Sequence, residues 1–486
     1  MTARPTPSPR RHRACLALAI GTIAASVTTI VPTPSAAAGA TLSRTVRVAP
    51  PGVDPNGPSS DPSIGGGGVL VAFASRASNL GPVVGNRRNS NIYVFSLTSG
   101  QVTLVSAGIN GPANGSSATP SLSAGALVVA FASQATNLIA GTSTRFSEVY
   151  ARDIRGPTRL VSRTFGDQPP DGDSTQPVVC ANGRFVAFTS TADNLVAGDE
   201  NAAADVFLAD LVTGNIQRVS VSSGGVGGNG PSYNPSISAD CRFVSFTSAA
   251  TNLVPGDTNG VPDVFVHDML SGGTEQVSVS SSGAGQNASI APPFTQISDI
   301  SGDGHYVVFD SDATNLVRPD TNGHTDVFRY DMRTGQVSRV SNNSRGRQGN
   351  NDSIAPATSA DGRVTVFESF ADNLASPWVP NENVFAQDLF SRRTQTVDIA
   401  ANGGPRGPEL DYQLLQRPAV SPNGQLVAFA SGANNLVSND YNGADDLFVR
   451  AITPSVTTIA HPARHHQRRR PPSSSSAVTR RWRRPG

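Results

Sequence analysis

One short phrase returns seven times along this 486-residue chain: an apolar run ending in Ser, three residues, then Asn-Leu. The copies read FASRASNL, FASQATNL, FTSTADNL, FTSAATNL, FDSDATNL, FESFADNL and FASGANNL. Their asparagines are Asn79, Asn137, Asn194, Asn252, Asn315, Asn373 and Asn435, at spacings of 58, 57, 58, 63, 58 and 62 residues. A repeat of this length means that one supersecondary unit is stacked against copies of itself.

Each unit carries four short strand signals in fixed order. In the fourth copy strand a is the run Pro235 to Ser238, and Asp240, Cys241 and Arg242 form a turn. Strand b is Phe243 to Ser248, and a long loop leads to strand c, Asp263 to Asp268. A turn at Ser271 to Gly273 precedes strand d, Glu275 to Ser280. Strand b is apolar on both faces, as in Phe185-Val186-Ala187-Phe188 and Tyr306-Val307-Val308-Phe309, and therefore needs cover on both sides. Four-stranded sheets stacked face to face around an axis supply that cover. The expected fold is all-β: a seven-bladed β-propeller of four-stranded antiparallel blades over residues 41–460. An aromatic content of 6% with 47 Gly excludes a helical bundle.

Closure of the ring needs one strand from the far end of the chain, because a missing outer strand would leave an unpaired edge. Thr45 to Val48 and Val456 to Ile459 both offer a strand d. The N-terminal one is preferred, since its connection onward to Pro62-Ser63-Ile64 matches the other blades.

The unit resembles the WD-like propeller repeats of the TolB family. The matching residues include Ser359, Asp361, Gly362, Arg363, Val366, Phe367 and Ser369, and Asp326, Val327, Phe328, Asp331, Thr334 and Gly335. The resemblance spans about residues 42–460 and implies a non-catalytic, protein-binding propeller. It departs from TolB in its longer period, its seventh copy and the lack of an α/β domain before residue 42.

Residues 1–40 read as a secretory signal: Arg4, Arg10, Arg11 and Arg13 precede an apolar stretch from Ala14 to Val31, with small residues Ser35 to Ala40 after it. Cleavage is expected after Ala38 or Ala40, and the protein is expected to be secreted or associated with the cell envelope. Residues 461–486 are basic and rich in Pro and Ser. They read as a disordered tail, able to contact an anionic cell wall or membrane surface. Removing the arginines of both ends from the net charge of +1 leaves residues 41–460 at about −11, which disfavours nucleic acid. The ring is expected to be a monomer. Cys180 and Cys241 fall in consecutive blades near one face, one turn out of register, and export favours a disulfide between them.

Four of the b–c loops share an acidic pattern: Asp199, Asn201 and Asp205; Asp257, Asn259 and Asp263; Asp320, Asn322 and Asp326; Asp440, Asn442 and Asp446. Oxygen side chains at positions 1, 3 and 7 can wrap Ca²⁺, and the same residues are also common turn-formers, so calcium and a turn both stay open. An EF-hand is excluded, because the acid twelve positions on lies across the blade. His267, His305 and His324 are dispersed, and no catalytic constellation emerges. Trp378, in the loop SPWVPNEN, is a candidate contact for a protein or sugar, and filling a gap between adjacent loops stays equally open. The leading expectation is a secreted, non-catalytic scaffold that binds an extracytoplasmic protein, peptide or polysaccharide. The alternative is an extracellular hydrolase or lyase with its site in the axial funnel.

Overall fold

The computed structural model describes residues 45–81, 88–125, 128–141, 145–164, 169–288, 296–378, 382–407 and 417–452. They form seven four-stranded antiparallel sheets, one per repeat. Blade four runs Ser232–Ile237, Phe243–Ser248, Asp263–Asp268 and Thr274–Gln276 as strands a to d. The first strands of successive blades touch one another all the way round, and that of blade one also touches that of blade seven. Strand a is therefore the innermost strand and the ring is closed.

Blade seven is completed as the sequence leads one to expect. Its strands are Ala419–Val420, Leu426–Ser431 and Asp446–Ala451, and Val46–Arg47 pairs with the last of these, Val46 opposite Val449 and Arg47 opposite Phe448. The rival segment Val456 to Ile459 lies outside the described residues, as do the signal and tail segments.

The repeated phrase has a structural cause. In every copy the Leu is buried, and the Asn side chain ties the b–c loop to the connection arriving from the preceding outer strand. Asn252 Nδ2 donates to Gly227 O at 2.9 Å while its Oδ1 accepts from Asn229 N at 2.9 Å. Asn137 does the same with Pro112 O and Asn114 N. Strand b is buried on both faces because each face packs on a neighbouring blade: Val244 and Phe246 of blade four meet Ala187 and Leu208 of blade three, and Phe243 meets Val307 and Phe309 of blade five. Within each blade the strand-b phenylalanine lies beside the aromatic ring opposite it in strand c. In blade four these are Phe246 and Phe265, with ring centroids 5.9 Å apart. All seven blades repeat this pair, Phe with Tyr in blades one and two and Phe with Phe in the other five, so each blade carries an equivalent aromatic centre.

The residues that carry the TolB resemblance are also structural. Arg363, from the turn after strand a, grips Asp388 of strand c through two contacts at 3.1 and 2.7 Å, and Arg184–Asp210 and Arg242–Asp268 repeat this fork.

Candidate functional site

In each acidic loop the last Asp is the first residue of strand c and is buried: Asp205, Asp263, Asp326 and Asp446. In three blades one of its oxygens accepts from a buried Ser near the end of strand d: Ser220 to Asp205, Ser278 to Asp263 at 2.6 Å, and Ser341 to Asp326. The middle Asn donates to the same carboxylate, at 2.7 Å for Asn201 and Asn259 and 3.1 Å for Asn322 and Asn442. Its own Oδ1 accepts a backbone N–H two residues on, as in Asn201 with Ala203. That is the turn geometry expected of Asn.

The first Asp of the pattern meets a cation already present in the chain. Arg218 lies 2.9 Å from Asp199 and 3.4 Å from Asp205, and Arg339 lies 3.1 Å from both Asp320 and Asp326. In blade seven Arg47 lies 3.7 Å from Asp440 and 3.2 Å from Asp446, and it also bonds Asp54. Asp54, Asp440 and Asp446 offer oxygens within 4.8 Å of one another, a set that could hold a metal ion, and the guanidinium of Arg47 stands among them. The three arginines occupy one register position, opposite the aromatic residue of strand c. Blade four has Gln276 at that position, and there Asp257 Oδ1 is buried with no donor.

The histidines do not converge. His267 is buried against Thr274, His305 pairs with Asp303 in the turn after strand a, and His324 pairs with Asp352 among the long loops. Trp378 is 40% exposed in the blade-six loop. Cys180 and Cys241 are joined as a disulfide, with Cα atoms 5.3 Å apart. Cys241 has φ 67° at a turn position where other blades have the left-handed glycines Gly183, Gly304, Gly362 and Gly424. A Cβ at Gly304 would point into Phe243 of the preceding blade, so a side chain at Cys241 is aimed at blade three.

The axis carries a second constellation. A pocket of about 410 Å³ is lined by strand a of every blade. Asp61, Thr119, Gln176, Asn234 and Ala355 occupy one repeat position, directly before a proline, and all have φ between 48° and 54°. A β-bulge interrupts strand a at this point in each of these blades. A left-handed backbone costs side-chain-bearing residues energy, most of all a β-branched one such as Thr119. Four of the five line the pocket with polar groups. Gln176 and Asn234 bond each other through their side chains, and Asn234 N donates to Gln176 Oε1 at 3.1 Å.

In blade seven the equivalent residue is Arg417, which reaches past the small residues of blade six to Asp299 at 3.0 Å. Asp299 is fixed by Ser236 Oγ at 2.7 Å and Thr358 N at 2.8 Å. Across the pocket Asp61 accepts only long bonds, from Ser60 at 3.3 Å and Thr119 N at 3.4 Å, and forms no ion pair among the described residues. Burial pushes its carboxyl above the usual range. This ring was legible as the residue before Pro in DPS, TPS, QPV, NPS, APA and RPA, a signal the loop-centred reading passed over.

No protein-family model matches the chain, and no curated protein matches it. Solved structures that share the fold include TolB from Acinetobacter baumannii, 16% identical, covering 75% of this chain and 76% of that one with a TM-score of 0.39. Oligogalacturonate lyase from Vibrio parahaemolyticus is 12% identical over 85% and 94%, with a TM-score of 0.48. The β-propeller domain of the Trilobed protease from Pyrococcus furiosus is 11% identical over 82% and 98%, with a TM-score of 0.46. The likeness extends to fold alone.

Proposed function

We propose that this chain is an exported binding propeller whose axial pocket takes a polar group of an extracytoplasmic protein, peptide or polysaccharide. The observation that carries this reading is the ring of left-handed residues, because strain held at one position in five blades has no packing benefit that a glycine would not supply at lower cost. The pocket offers both hydrogen-bonding senses and both charges through Gln176, Asn234, Asp61 and Arg417. Trp378, on the long-loop face, adds an exposed ring for the same partner. Export rests on the pattern of residues 1–40, and the disulfide suits an oxidising compartment.

Arrays of extracellular glycans and peptides test the reading. The wild-type protein is expected to retain at least one ligand, and Gln176→Ala/Asn234→Ala/Arg417→Ala to retain less than a tenth as much. Equal retention by the variant would remove the axial pocket from the function. Consumption of the retained ligand would instead support the hydrolase or lyase reading, for which Asp61, the pocket acid without an ion pair among the described residues, is the candidate proton donor.

Calcium is supported at one loop only, that of blade four, where no guanidinium stands between Asp257 and Asp263. Millimolar Ca²⁺ is expected to raise the melting temperature of the wild type and leave Asp257→Asn unchanged, since a ligand bound only by the folded state stabilises it. An equal response of the two proteins would leave these residues as turn-formers alone.

A further inference from the structure

Blade five departs from its siblings in a way that the fold does not require. The hairpin between its outer strand and blade six reads SNNSRGRQGN, where blades three and four have SVSSGGVGGN and SVSSSGAGQN. The three hairpins share one backbone, closed by the bridges Asn342 to Gln348, Val221 to Gly227 and Val279 to Gly285. Arg347 thus stands where blades three and four have Val226 and Ala284. Arg318, in the b–c loop, replaces Ala197 and Pro255. Arg392, in the turn between strands c and d of blade six, has φ 57° at the position of Gly214, Gly272 and Gly335, whose φ values are 78°, 75° and 66°. An arginine kept in a left-handed turn is strained where its siblings are not.

These three arginines line one groove between blades five and six, of about 1010 Å³. Arg329 and Arg339 also line it, the latter already neutralised by Asp320 and Asp326, and among the described residues no acid or aromatic side chain lines it. Arg318, Arg347 and Arg392 are exposed and form no ion pair among the described residues. The remaining wall is rich in side-chain amides, among them Asn343, Gln348 and Gln387. Gln387 is buried, and its Oε1 meets no donor. Such a concentration of positive charge is the reverse of the body, which carries about −11 over residues 41–460.

We propose that this groove binds an acidic polysaccharide. Arginine forks match carboxylate or sulfate groups in two-bond geometry, and amides both donate to and accept from sugar hydroxyls. Nucleic acid fits less well, because no aromatic side chain lines the groove to stack a base. The site is distinct from the axial pocket, so either can fail without the other.

The test uses the exported full chain and titrates alginate oligomers as the carboxylated probe, dextran sulfate as the sulfated one, and neutral dextran and single-stranded DNA as controls. The variant Arg318→Ala/Arg347→Val/Arg392→Gly places in blades five and six what other blades already carry, so its melting temperature should not fall. Expected are binding of one or both anionic probes that weakens with salt, no binding of neutral dextran, and at least tenfold weaker binding by the variant. Preference between the two anionic probes then identifies the charged group. The inference is overturned if the variant binds as the wild type does, if neutral dextran or single-stranded DNA binds as well as the acidic glycans, or if no glycan binds. The axial triple variant should bind these probes unchanged, which separates a failure here from a failure of the axial reading.

Discussion

Arg47→Gln is expected to remove about 3–5 kcal/mol of stability at neutral pH, the scale for stripping one partner from a buried charge cluster. Arg47 arrives on the two-residue strand that closes blade seven, and its guanidinium is the shared partner of Asp54, Asp440 and Asp446. Without it the buried Asp440 and Asp446 would face each other unneutralised. Burial, opposed in part by Arg47, already pushes the Asp446 carboxyl up to about 7. Glu148 and Asp310 are likewise pushed by burial to about 7, and Asp199 and Asp263 to about 6.

An unfolded Asp titrates near pH 3.9, so between about pH 4 and 7 the folded chain holds more protons than the unfolded one, and stability falls as pH rises through that window. Below about pH 4 the opposite group takes over. Asp210 and Asp268, held low by Arg184 and Arg242, become protonated and their contribution is lost. Denaturant midpoints are therefore expected to peak near about pH 4, where the two groups of carboxylates cross over. Arg47→Gln should recover part of its deficit there, because the proton replaces the missing cation. A deficit of the same size at pH 5 and pH 8 would show that packing, rather than charge, holds the clasp. Deleting residues 45–49 should go further and give aggregation, since strand c of blade seven, Asp446–Ala451, would become an open edge.

Loss of the disulfide is expected to cost about 4 kcal/mol in the chain-entropy account for a loop of 61 residues, or about 5 °C in melting temperature for a chain of this size. The geometry makes a sharper comparison available. Cys241 occupies a left-handed turn that its sibling blades fill with glycine, so Cys180→Ser/Cys241→Gly loses the bond but relieves the backbone. It should be more stable than Cys180→Ser/Cys241→Ser by about 1 kcal/mol. Melting of the two double variants and of the oxidised wild type checks both terms. If neither variant melts below the wild type, the bond contributes nothing to folding.

The fold could be read from the chain because its cause is local. A strand b apolar on both faces with a Phe in it and an Asn-Leu phrase in each loop recur every 57 to 63 residues, and a unit that cannot cover strand b alone must stack on its copies. The N-terminal closure was legible for the same reason, as an extra strand d. The roles of the acidic loops were not. Asp199 and Arg218 are 19 residues apart, and Arg47 and Asp440 are nearly four hundred apart. Whether a carboxylate meets a guanidinium or an ion depends on which outer strand packs beside its loop, and pattern along the chain does not encode that distance. The axial ring and the basic groove share this character. The axial pocket is assembled from strand a of all seven blades and the groove from blades five and six, so each acquires its chemistry only when residues distant along the chain are brought to face one another.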